Sequence, residues 1–139
     1  MRLAALPLAL LLAACARTPS EPSEVCGACA PPGAVPPSAD KVAAAVAQGR
    51  SWAAQTCQIR TSRPPNIEWR KCDFLVEAAT TEPGGKPHPA CCAGMTFWDG
   101  SKILVSMSNP SNTLNLVTWE SRNYFWIMSG CAEQAYARR

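Results

Sequence analysis

Cysteine is the residue through which this chain could do most chemistry. It holds eight, Cys15, Cys26, Cys29, Cys57, Cys72, Cys91, Cys92 and Cys131, against a single histidine, His88. Thiolates attack disulfides, bind soft metals and accept lipid, so spacing and surroundings decide what each one is. Cys26-Gly27-Ala28-Cys29 has the two-residue gap shared by redox dithiols and zinc-binding loops. A redox dithiol needs a helix behind it to lower one thiol's pKa, and here Pro31-Pro32 follows directly. A structural zinc site takes four ligands, commonly two such pairs, and the vicinal Cys91-Cys92 lacks that spacing. The expectation for Cys26 and Cys29 is therefore a local disulfide or a link to another chain. Thiol redox or metal carriage is the rival, with Cys26, Cys29 and His88 as its candidate ligands. His88, within Pro87-His88-Pro89, reads as a solvated loop side chain, and no Gly-x-Ser-x-Gly elbow marks a nucleophile for it to serve.

Cys15 stands in a different setting. Met1-Arg2 gives a positive end, and Leu3 to Ala14 is an almost unbroken Leu/Ala run, too short to cross a bilayer core as a helix. A basic end, a short apolar run and small residues are the anatomy of a secretory signal. Leu12-Ala13-Ala14-Cys15 resembles the lipobox of bacterial lipoproteins, a leucine and two small residues before a cysteine. That resemblance implies a diacylglyceryl group on the Cys15 thiol, cleavage before Cys15, and acylation (palmitate or similar) of the new amino group. Each buried methylene contributes about 0.8 kcal/mol, so two or more chains hold a protein firmly at a membrane. The implied location is extracytoplasmic and membrane-anchored. Ala16, where Gram-negative relatives keep an aspartate for inner-membrane retention, points to the outer membrane.

With residues 1–14 removed, 12 basic residues face 10 acidic ones, and the signs are scattered. No basic block exceeds Arg70-Lys71 or Arg138-Arg139, which argues against a nucleic-acid partner. The remaining seven cysteines read as a disulfide framework for a small exported domain. Seven is odd, so one is free, modified or joined to another chain. Cys131 is expected to reach back to Cys91 or Cys92, and Cys57 to pair with Cys72 or one of that vicinal pair.

The elements that must position these residues follow in order. Residues 15–37 carry six of the 13 prolines and read as a tether. Residues 38–139 read as a single globular domain. Ser38-Ala39-Asp40 signals a helix from Lys41 to about Gln55, weakened in its middle by Gly49. Stretches 57–61 and 67–76 alternate as strands do, separated by Arg63-Pro64-Pro65-Asn66, and 80–89 is a loop. Ala93 to Trp98 and Lys102 to Met107 predict a hairpin about Asp99-Gly100. Asn109-Pro110 opens a helix that runs through Asn112 to about Ser129. That helix is apolar around most of its circumference, leaving only Asn115, Thr118, Arg122 and Ser129 as a polar strip, so it should be buried. The fold class expected is α+β, a small antiparallel sheet packed on one buried long helix and stabilised by disulfides. Of five tryptophans, Trp98 beside the turn is the one expected to be exposed and to meet a partner.

Hairpin, loop and buried helix in this order resemble the centre of zincin metallopeptidases, whose helix carries His-Glu-x-x-His. The register here is Trp119-Glu120-Ser121-Arg122-Asn123. In the family the two histidines bind one zinc ion and the glutamate is the general base. Only Glu120 matches. The competing reading of Glu120 is a pair with Arg122, Arg70 or a buried hydroxyl. The preferred expectation is a non-enzymatic, lipid-anchored envelope protein that binds another protein or an envelope component. It has no cofactor beyond its covalent lipid, and a degenerate or active zincin-like hydrolase is the alternative.

Overall fold

The computed structural model describes residues 21–22, 24–78 and 88–137. In chain order these form β1 (Val25–Cys29), α1 (Ala39–Ala54), β2 (Ile67–Arg70), β3 (Cys72–Ala78) and β4 (His88–Cys92). They continue with β5 (Gly94–Thr96), β6 (Ile103–Ser106), α2 (Thr113–Met128) and α3 (Ala132–Ala137). The class is α+β, as the sequence predicts, but the strands make two three-stranded sheets. One, β1-β3-β4, is antiparallel; the other, β2-β6-β5, contains a parallel pair, β2 with β6. The chain passes from the second sheet to the first at Lys71 and back again at Ala93. The alternating stretch 67–76 is thus two strands of different sheets, and 57–61 forms no strand.

Strand β6 is the centre. All four of its residues are buried, because successive side chains point to opposite faces and both faces are covered. Ile103 and Val105 join Val117, Phe125 and Trp126 in a core beneath the helices. Leu104 joins Phe74, Val76, Met95 and Phe97 in a second core on the other side. Helix α1 turns a stripe of small residues, Ala45, Gly49 and Ala53, inward, so α2 lies close against it. The buried Trp126 indole N–H donates to the Ala53 carbonyl oxygen at 3.1 Å, across 73 residues of sequence.

Helix α2 matches the predicted span except at its start. Pro110 to Asn112 form a turn, and the helix begins at Thr113, whose hydroxyl donates to the Asn109 carbonyl oxygen at 3.1 Å. The Asp99-Gly100 hairpin is present. Gly100 takes φ +70°, the left-handed conformation this turn requires, and the Ser101 N–H donates to Asp99 Oδ1 at 2.9 Å.

The cysteine pairing differs from every expectation above. Cys57 joins Cys131, linking the chain just after α1 to the chain just after α2. Cys29 joins Cys72, and Cys26 joins Cys91. Neither Cys26–Cys29 nor any link through Cys131 to Cys91 or Cys92 forms. The reason is β1, which falls within the stretch read as a tether. Its proline-rich flanks hide a strand that pairs with β3, Val25 opposite Phe74 and Cys29 opposite Cys72. The five residues of β1 from Val25 to Cys29 lie opposite the three of β3 from Cys72 to Phe74, a bulge made possible by Gly27 at φ +71°. The bulge separates the two cysteines into two bridges. The docked segment begins earlier still: Glu21 pairs with Arg70 at 2.7 Å and with Lys102 at 2.9 Å, and Glu68 closes the ring through the same two cations. Among the described residues no helix is long and apolar enough to cross a membrane. The Leu3–Cys15 stretch lies outside the described residues.

Candidate functional site

A cleft of about 390 Å³ opens between the β4–β5 passage and the first turns of α2. Cys92, Ala93 and Gly94 form one wall; Asn112, Asn115 and Leu116 form the other, with Trp119 on the rim and Glu120 at the floor. Glu120 is only 5% exposed. The Thr96 hydroxyl lies 2.5 Å from Glu120 Oε2 and 3.0 Å from the Glu120 carbonyl oxygen. Asn123 Nδ2 donates to the same Oε2 at 3.3 Å. Gly94 is what lets the carboxylate lie so close to β5, since a Cβ there would stand 3.1 Å from Glu120 Cγ and Oε1. Of the partners considered for Glu120, the buried hydroxyl is present, supplied by Thr96.

The His-Glu-x-x-His register can be tested against these contacts. An indole has no lone pair to offer a metal, and Trp119 turns its ring toward Trp52, edge to face at 5.8 Å. Asn123 points its amide nitrogen at Glu120. The donor set does not fit zinc. Among the described residues no three His, Cys, Asp or Glu side chains gather in a way that could hold a metal ion. His88 is the first residue of β4, paired with Ala78, and not part of a loop. Cys26 and Cys29 are engaged in separate disulfides and form no dithiol, and among the described residues no cysteine is free.

Two residues at the site escaped the sequence reading. Trp119, placed among the buried residues of the helix, is 43% exposed and exceeds Trp98 at 37%. Arg122, placed on the polar strip, is 7% exposed, its guanidinium 4.4 Å from the Trp119 ring and 4.5 Å from the Trp126 ring. Those three positions, i−3, i and i+4 on a helix, share one face, and their spacing is a readable cation–π signal. Arg122 also lines a second cleft of about 220 Å³ with Trp52, Gln55, Thr56 and Trp126. Thr118 and Ser129 are buried as well, and Met128, expected inside, is exposed. No protein family, curated protein or solved structure matches this chain.

Proposed function

We propose that this protein is a lipoprotein anchored through Cys15 on the extracytoplasmic side of a membrane, acting as a binding module for another protein or an envelope component. The observation that carries the reading is the double disulfide clamp on β1, ten residues beyond the lipobox cysteine. A domain held by its N-terminus transmits any pull through that strand, and here the strand is cross-linked to both β3 and β4. Disulfides of this density belong to oxidising compartments. The cleft beside Trp119 is the proposed binding surface: an exposed aromatic rim, two amides and a carboxylate floor suit recognition without requiring a reaction.

Intact-mass and peptide mapping of membrane-extracted protein tests the anchor. The expected result is a chain beginning at Cys15, carrying diacylglyceryl and acyl mass, and Cys15→Ser moves the protein to the soluble fraction. A retained residue 1–14 segment, or a Cys15–Cys92 cystine in native material, overturns it, since one sulfur cannot be both thioether and disulfide. For the cleft, a photo-crosslinker at Asn115 should give a discrete adduct in cells that Trp119→Ala abolishes.

A second reading, a zincin-like hydrolase, is favoured by one observation, the placement of Glu120 at the floor of an open cleft. Since the residues beside Glu120 do not fit zinc, it holds only as a degenerate relative of that fold, and it predicts a hydrolysis that Glu120→Gln removes.

A further inference from the structure

We infer that the β5–β6 hairpin tip is a second membrane contact, seating Trp98 and Met128 in the bilayer interface beside the lipid anchor. The inference rests on the lipidation of Cys15 proposed above. Glu21 is held against Lys102 at 2.9 Å and Arg70 at 2.7 Å, so the N-terminal segment meets the domain at the base of this hairpin. Lys102 directly follows the turn, its carbonyl accepts the Phe97 N–H at 3.1 Å, and its ammonium lies 5.3 Å from the Phe97 ring centroid. Five residues separate Cys15 from Glu21. Fully extended, such a segment spans about 20 Å at most, so the lipidated end enters the bilayer no farther than that from the hairpin's base.

The tip has the chemistry for that neighbour. Trp98 is 37% exposed and Met128 41% exposed, and Gly100, two residues past Trp98, packs directly on Met128 Sδ. Tryptophan is enriched where apolar chains meet headgroups, because its ring is amphipathic. One acyl anchor leaves a domain free to tumble; a second apolar contact at the same end fixes its orientation. Trp119 lies nine residues from Met128 on α2, which at 3.6 residues per turn places it on the opposite side of the helix. The seated domain would therefore turn its cleft away from the bilayer.

The test uses the full lipidated chain reconstituted in vesicles of brominated phosphatidylcholine with phosphatidylglycerol, compared with unbrominated vesicles. One tryptophan in five should be quenched, about a fifth of the emission if all emit equally. Trp98→Ala should abolish that quenched component, Met128→Glu should diminish it, and Trp119→Phe should leave it in place. Quenching that persists in Trp98→Ala, or none in the parent chain, overturns the inference. Mass spectrometry of the same sample reads acylation separately. Acylated but unquenched protein removes the hairpin contact alone, whereas unacylated protein removes the anchor and this inference with it.

Discussion

Gly49 of α1 lies so close to Thr118 of α2 that a Cβ built on it would stand 2.5 Å from the Thr118 carbonyl oxygen. The same atom would meet Ser121 Cβ at 2.8 Å and the Arg122 backbone nitrogen at 2.9 Å. A glycine that weakens an isolated helix is here the point where two helices cross. This approach supports the site as well as the core, because the backbone it touches runs from Thr118 to Arg122, the turn that carries Trp119 and Glu120.

Gly49→Ala sets two effects against each other. Alanine improves helix propensity by up to about 1 kcal/mol. Backbone atoms at under 3 Å cannot yield as a side-chain tip can, and overpacking of this kind costs about 1–3 kcal/mol. The expected outcome is net destabilisation, read as a lower urea midpoint. An unchanged or raised midpoint would mean that the helices separate easily.

The Cys57–Cys131 bridge closes a loop between residues 74 apart in sequence. Chain entropy alone assigns such a cross-link about 4 kcal/mol. The other two disulfides already restrain parts of the same loop, so the double variant Cys57→Ala/Cys131→Ala should lose somewhat less than that. Denaturant unfolding measures it. The variant should retain the sheet β1-β3-β4, whose two bridges lie elsewhere, so disulfide mapping should still find Cys26–Cys91 and Cys29–Cys72.

The readable parts of this fold were those written locally. Asp99-Gly100 announces its hairpin because the turn demands a left-handed residue at that spot, and the apolar run from Leu114 to Ile127 announces a buried helix. Strand β1 was hidden because a bulge and flanking prolines erase its period, and its partners lie more than 40 residues away. The cysteine partners follow from that strand and were beyond reach without it. Arg122 shows the limit of a helical wheel: four polar residues mark a strip, but not whether solvent or two tryptophan rings cover it. For Glu120 the wheel could place the carboxylate on α2, while Thr96, its partner, became visible only with the pairing of β5 and β6.

Thr96→Val replaces the hydroxyl facing Glu120 with a methyl group of similar shape. The buried Glu120 carboxyl then loses a hydrogen-bond partner, at a cost of about 1–3 kcal/mol. Thr96→Ser keeps the donor and should recover most of the loss. A Val variant as stable as the parent would show that the Thr96 contact carries little weight.

The ring of Glu21, Arg70, Lys102 and Glu68 gives the N-terminal segment a pH window. The hydrogen bond from Lys102 above all, with smaller contributions that include the charges of Lys102 and Arg70, holds the Glu21 carboxyl below its ordinary 4.5. The hydrogen bond to Glu21, followed by that to Glu68, raises Lys102 above its ordinary 10.5. A lowered acid contributes its full stabilisation above 4.5 and loses it as pH falls through the depressed value. A raised base contributes fully below 10.5 and loses it as pH rises through the elevated value. The ring is therefore intact across neutral pH, and the share contributed by Glu21 is lost on the acid side. The Glu21 side chain is 46% exposed, so solvent screening keeps its share to about 1 kcal/mol or less. That is too small to unfold the domain, but it acts on the N-terminal segment where it docks on the domain. In an NMR titration the Glu21 carboxyl carbon should have its midpoint below 4.5, and Lys102→Met should move that midpoint upward. Exchange of the Leu75 amide, which donates to the Glu24 carbonyl oxygen at 2.8 Å, should quicken in Lys102→Met relative to the parent at neutral pH. A midpoint at 4.5 in the parent, unmoved by the variant, would mean that Glu21 and Lys102 do not hold each other in solution.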